Sequence, residues 1–210
     1  MSHHPTEHLL TEYSAGSLSA GPALCVTTHI EQCHECERRV GEFNLLGAAI
    51  LENSENMECS AGLFDRVLMG VGSDTQQQTR TNPRKKKSAL SALLPKGIES
   101  VNWKKLGFGV RSCDLGLTED GFVVKLLRVA KGRSVFQHTH TDSEFTVLLQ
   151  GGYSDELGNF VAGDFVECNG SHVHQPVAHR DQDCVLLTAV SGDLKFTGPV
   201  SQLLNPFYKF

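Results

Sequence analysis

Apolar positions recur at helical spacing through the first 72 residues and fall into short strand-like runs from about residue 106, with a polar stretch between. In the first part Leu9, Leu10 and Tyr13 form the stripe of a first helix, with Pro5 suited to its first position and Gly16 to its stop. Ser19 suits the cap of a second helix carrying His29, and a third is predicted from about Glu35 through Phe43, Leu45, Leu46 and Ile50. Asn53 to Glu58 interrupts the pattern, after which Leu63, Phe64, Val67, Leu68 and Val71 predict a short amphipathic fourth helix. That last stripe suits either core packing or a partner, because a head this small has little core to offer.

Ser73 to Ser88, SDTQQQTRTNPRKKKS, is polar, lacks aromatics and reads as a linker. Beyond it, Phe122 to Val129, Phe145 to Leu149, Asp164 to Val166 and Cys184 to Thr188 are apolar runs separated by Gly, Asp and Asn. Many short strands at close spacing predict a sandwich or barrel. The predicted fold class is multidomain α and β: a small four-helix head over residues 1–72, a linker and lead-in over 73–105, and an all-β tail over 106–210. A flexible linker predicts domains that need not touch in a fixed pose.

Charge sharpens this division. The 210 residues carry a net charge of −5, unevenly spread: the head holds ten acidic against three basic side chains, residues 73–105 two against eight, and the tail twelve against eight. An acidic head repels nucleic acid and suits a basic protein partner. The run Arg84 to Lys87 reads as solvated linker, so no direct nucleic-acid partner is expected. No signal peptide is evident and no apolar run reaches the roughly 18 residues of a membrane span, so a cytoplasmic protein without membrane contact is expected. Seven cysteines, an odd number, favour metal ligation and reduced thiols over a disulfide framework.

Two clusters carry metal-ligand chemistry. Thr28 to Cys36, THIEQCHEC, contains His29, Cys33 and Cys36. On a helix these are spaced i, i+4 and i, i+3, and all three converge on one side. A structural zinc takes four nitrogen or sulfur ligands in a tetrahedron, so one more must come from elsewhere, and His3, His4 and His8 are the nearby candidates. In the tail, His138 and His140 alternate by two and share one strand face, Glu144 can reach the same point after a turn, and His172 or His174 can close the site. Three imidazoles and a carboxylate suit a divalent ion: zinc, iron, manganese or nickel.

The tail spacing matches the first cupin motif, G-x5-H-x-H-x3-E-x6-G, at Gly132, His138, His140, Glu144 and Gly151. The second, G-x5-P-x-G-x2-H-x3-N, is met at Gly163 and His174, with Asn169, Ser171 and Ala178 in place of its Pro, Gly and Asn. Resemblance to the cupins implies a small β-barrel holding a metal at His138, His140, Glu144 and His174, with His172 flanking. The head's H-x3-C-x2-C is similar to that of zinc-binding anti-sigma proteins, and the order of head, linker and cupin tail resembles the ChrR-type members over nearly the whole chain.

That resemblance implies that His4 completes a zinc site with His29, Cys33 and Cys36, stapling the first helix to the junction of the second and third. It implies a head that sequesters an extracytoplasmic-function (ECF) sigma factor from core RNA polymerase. The barrel would sense or relay oxidative stress of the singlet-oxygen type, and a homodimer through the cupin is a further expectation. No cysteine precedes Cys25, so the first helix cannot be locked by a disulfide, and the trigger falls to the barrel metal or to Cys168 and Cys184. Those two cysteines also suit small buried hydrophobes, as do Cys25 and Cys113. The protein is expected to be regulatory, with no catalytic residue assigned. The alternative is a cupin metalloenzyme, dioxygenase-like, with a zinc-binding regulatory head.

Overall fold

The computed structural model describes residues 2–55, 57–73, 88–199 and 201–202, so the Arg84 to Lys87 run lies outside the described residues. The head opens with α1 (Glu7–Ala15), α2 (Ala20–Ile30), α3 (His34–Glu52) and α4 (Leu63–Ser73). Thr6 is the N-cap of α1, its hydroxyl accepting from Leu9 N, so Pro5 stands just outside the helix and not at its first position as expected. Gly16, at φ 68°, ends α1 in the left-handed conformation that glycine adopts without strain.

A fifth helix, α5 (Ala89–Leu93), falls in the segment predicted as a lead-in. Ser88 caps it, Ala89 N donates to Glu31 Oε1 at 2.9 Å, and Leu90 and Leu94 pack against the head core. The head is therefore joined by one more helix than its periodicity predicts. Among the described residues no helix is long and apolar enough to cross a membrane.

The tail contains β1 (Lys104–Gly107), β2 (Val110–Glu119), β3 (Phe122–Val129), β4 (His138–His140), β5 (Glu144–Gln150), β6 (Gly152–Asp155), β7 (Gly158–Val161), β8 (Phe165–Cys168), β9 (Val177–Ala178), β10 (Cys184–Ser191) and β11 (Leu194–Phe196). The large sheet has the order β1-β2-β3-β10-β5-β8, every pair antiparallel. Two small sheets, β7-β6-β9 and β11-β4, supply the opposing layer, and a cavity lies between.

The large sheet is covered on both faces. Successive strand residues point to opposite sides. On one face Val129, Leu148, Cys184 and Leu186 fill the barrel with Tyr153 and Phe160. On the other, Val124, Leu126, Val147, Leu187 and Ala189 form one core with Leu9, Leu10, Cys25 and Val26 of the head. Helix α2 lies so close that a Cβ on Gly21 would meet Val124 Cγ2 at 3.1 Å and Ala189 Cβ at 3.2 Å.

Polar contacts match this packing. Ser19 stands at the N-cap of α2, but its hydroxyl donates to Asp120 Oδ2 at 3.0 Å and Ala20 N donates to Glu119 Oε2 at 2.6 Å. The tail's carboxylates thus satisfy and neutralise the positive end of the helix. Cys25 Sγ donates to Phe145 O.

The expectation of independently posed domains is overturned. Each fully buried Val or Leu contributes about 1.5–3 kcal/mol, whereas doubling a flexible loop costs only about 0.6 kcal/mol of closure entropy. Linker freedom is too small to keep a matched apolar helix off the sheet.

Candidate metal centres

The THIEQCHEC segment is not one helix. Helix α2 ends at Ile30, Cys33 is the N-cap of α3 at φ −115° and ψ 99°, and Cys36 lies in the first turn of α3. Cys33 N nevertheless donates to His29 O at 3.0 Å, so the turn preserves the closeness that helical spacing predicts. The donor atoms of His4, His29, Cys33 and Cys36 all lie within 4.8 Å of one another. His4 Nδ1 is 3.4 Å from both sulfurs.

The other histidines near the start are engaged elsewhere. His3 Nδ1 is 3.3 Å from Asp164 Oδ2, and His8 is an exposed partner of Glu12. His4 is the one that the fold brings to the cluster.

His29 fits a metal. Its Nδ1–H donates to Gly163 O at 2.8 Å, leaving Nε2 as the inward nitrogen, buried and without a hydrogen-bond partner. Such an orphan costs about 1–3 kcal/mol unless something binds it. Burial lowers the His29 pKa and favours neutral imidazole, the ligating form. Burial, then the neighbouring Cys33, pushes the Cys36 thiol up to about 12, a penalty that a bound cation reverses.

The tail cluster is built the same way on strands. His138 and His140 both turn inward from β4, at 5% and 2% exposure, while Thr139 between them does not. His174 arrives on the bridge it makes with His138, each backbone N–H donating to the other's carbonyl at 3.0 Å. The donor atoms of His138, His140 and His174 lie within 4.8 Å of one another, as do those of Glu144, Cys168 and His174. His172 lies outside both groups; its Nδ1 accepts from Asn169 N. Gly151, at φ 66°, turns the chain after β5 where a Cβ would stand 2.4 Å from Asp183 O.

Each ring is aimed from behind. His138 Nδ1–H donates to Phe136 O at 2.7 Å, and His174 Nδ1–H donates to the fully buried Asp155 at 2.8 Å. The two Nε2 atoms then face each other 3.0 Å apart, an arrangement that a cation held between them would satisfy. His140 Nε2 is 2.7 Å from Glu144 Oε2 as an ion pair without hydrogen-bond alignment, and its Nδ1 has no hydrogen-bond partner.

Burial and then the neighbouring His174 lower His138 to about 4. For Glu144, burial works against the anion, but His140, His138 and His174 outweigh it and hold the carboxyl at about 2. Near pH 7 His138 is thus a neutral imidazole and Glu144 an anion, while for His140 burial opposes the charged form but Glu144 outweighs it and raises the pKa, a charge pairing that a divalent ion can replace. The site opens on a largely apolar cavity of about 120 Å³ whose walls include Phe108, Phe136 and Phe196.

Sequence reasoning missed the residues that hold the ligands. Asp155 ends β6 at a tight turn with no motif, and Gly163 carries only its place in the second cupin motif, although its carbonyl holds His29. Asp164 also escaped notice; its buried carboxylate accepts from Ser2 N, His3 N and Val161 N. Cys168 ends strand β8 and faces the cavity.

Comparison with known proteins follows the same division. A family model described as the ChrR cupin-like domain matches residues 96–192. Anti-sigma-E factor ChrR of Cereibacter sphaeroides is 33% identical over 210 residues, covering 99% of this chain and 98% of its own. The crystal structure of Rhodobacter sphaeroides SigE in complex with the anti-sigma ChrR contains a chain that superposes at a TM-score of 0.78 with 34% identity, over 91% of this chain and 100% of that one. With head and tail both matched in one relative along almost its full length, the chain belongs to the ChrR family of anti-sigma factors.

Proposed function

We propose that this protein sequesters an ECF-type sigma factor from core RNA polymerase, and that its two metal centres hold and release the sequestering surface. The observation that carries this reading is the apolar surface left open on the head. Leu46 and Leu51 on the second half of α3 are 59% and 76% exposed, and Phe64 and Met69 on α4 are 73% and 76% exposed. Open apolar surface on this scale marks an interaction face. Glu52 and Asp65 lie in the same helices, charge that suits a partner with a basic DNA-binding surface. The relative whose solved structure is a complex with SigE supports the choice of partner, and such a partner implies a cytoplasmic protein.

In this reading zinc joins His4, ahead of α1, to the α2–α3 junction at His29, Cys33 and Cys36. Structural zinc contributes on the order of 10 kcal/mol in small domains, enough to fix the direction in which α3 leaves the core. The barrel ligands are His138, His140, Glu144 and His174, with zinc the favoured ion and iron, manganese or nickel chemically admissible. The bound ion would supply positive charge that draws the three rings and the carboxylate together. A contact route joins the centres: Gly163 holds His29, Phe165 N donates to His3 O, Glu167 accepts from Thr6 N at 2.8 Å, and Cys168 at the end of the same strand pairs with Glu144. A change at the barrel metal, produced by oxidative stress of the singlet-oxygen type, would travel along β8 to the head. This role is regulatory and needs no turnover.

The test is run-off transcription by core polymerase and the cognate sigma factor with added full-length protein. Wild type should inhibit, His29→Ala and Cys33→Ala should not, and inhibition unaffected by both substitutions and by chelation would overturn the zinc-held head.

A further inference from the structure

We infer that Cys168 is a ligand of the barrel metal, so that the ion is held by three imidazoles, a carboxylate and a thiolate. This rests on the reading that the barrel holds a metal and adds a donor to it. Cys168 and Glu144 are register partners on β8 and β5, and their neighbours Val166 and Thr146 line the same cavity, so both side chains face inward. The sulfur, a Glu144 oxygen and a His174 nitrogen lie within 4.8 Å of one another, and His174 also belongs to the three-histidine group. His174 is the donor the two groups share, so an ion bound at its inward nitrogen would draw both toward one coordination sphere.

A second observation points to the same place. His140 is buried at 2% exposure, its Nδ1 without a hydrogen-bond partner and its Nε2 only 2.7 Å from Glu144 Oε2 in this cluster. Cys168 itself is 5% exposed. Burial, Glu144 and Asp155 all oppose a thiolate here, and a divalent cation is what removes that opposition. Cys184 also lines the cavity but belongs to neither donor group, so it does not compete. A sulfur donor favours zinc or cobalt over manganese.

The experiment titrates metal-free, full-length protein with cobalt(II) and follows both bound equivalents and the near-ultraviolet sulfur-to-cobalt charge-transfer band. Wild type should take two equivalents and His140→Ala one. Cys168→Ser should still take two but lose about a third of the band, since two of three thiolates remain in the head. Two equivalents with an undiminished band in Cys168→Ser would overturn the inference while leaving the barrel metal intact. A single equivalent in wild type, unchanged by His140→Ala, would overturn the barrel metal and the inference with it. Should Cys168→Ser fold poorly, zinc K-edge absorption of the two-zinc wild type decides: about three sulfurs for two zincs supports Cys168, and about two rejects it.

Discussion

Helices α2 and α4 are both 11 residues long and both apolar, yet one is buried between two parts of the molecule and the other lies open. The difference lies in side-chain size. Helix α2 presents Gly21, Cys25 and Val26 to the sheet, small enough for its backbone to come within Cβ contact of Val124 and Ala189. Helix α4 carries Phe64, Leu68 and Met69, large anchors of the kind that fill pockets on another protein. Apolar content therefore takes two forms in this head: a close-packed layer that fixes it to the barrel, and a bulky layer left open, which the proposed function assigns to a partner.

Removal of the head metal should break this division most severely. Chelation, or Cys33→Ala, should cost on the order of 10 kcal/mol of metal-linked stability and abolish partner binding, read by far-ultraviolet circular dichroism and titration. Next, Leu187→Ala, in the core shared by head and barrel, should cost about 2–5 kcal/mol in one cooperative melt. Separate head and barrel transitions would break the packed side of the comparison.

Phe64→Ala sharpens the open side. It should weaken sigma binding by about 2 kcal/mol and change stability by less than about 0.5 kcal/mol. Asp155→Asn should reduce barrel metal affinity about 10–100-fold, measured by competition with a chelating dye, because His174 loses the carboxylate that orients it.

The smallest effect is on pH dependence. In metal-free protein His138 is lowered from 6.5 to about 4 and Glu144 from 4.5 to about 2. Both folded values are depressed, so the unfolded chain binds more protons in these windows and stability falls as the pH falls. Denaturant melts should show the His138 loss between pH 6.5 and about 4 and the Glu144 loss between 4.5 and about 2; Glu144→Gln should remove the second and, by taking away a charge that raises His138, deepen the first.

Ligand spacing was legible because strand alternation and helical repeat are local geometry: His138-x-His140 needs only a strand, and His29, Cys33 and Cys36 need only to stay close through a turn. The break in that turn was not, since Glu31-Gln32 contains no glycine or proline. Helix α5 is five residues long, too short for a periodic signal. Two-sided burial of the sheet did leave a trace. The runs FVVKLLRV and CVLLTAVS lack the polar alternation of a sheet with one wet face, which is how a strand covered on both faces reads. Asp155 and Gly163 act through contacts across 19 and 134 residues of chain, which no local pattern encodes.

Isothermal titration of the cognate sigma factor into full-length wild type and into Leu46→Asp/Phe64→Asp tests the central claim most directly. The account expects tight binding by wild type and its loss in the double variant, with metal content and melting temperature unchanged. Equal affinity in both proteins would show that the open face of α3 and α4 does not receive the partner.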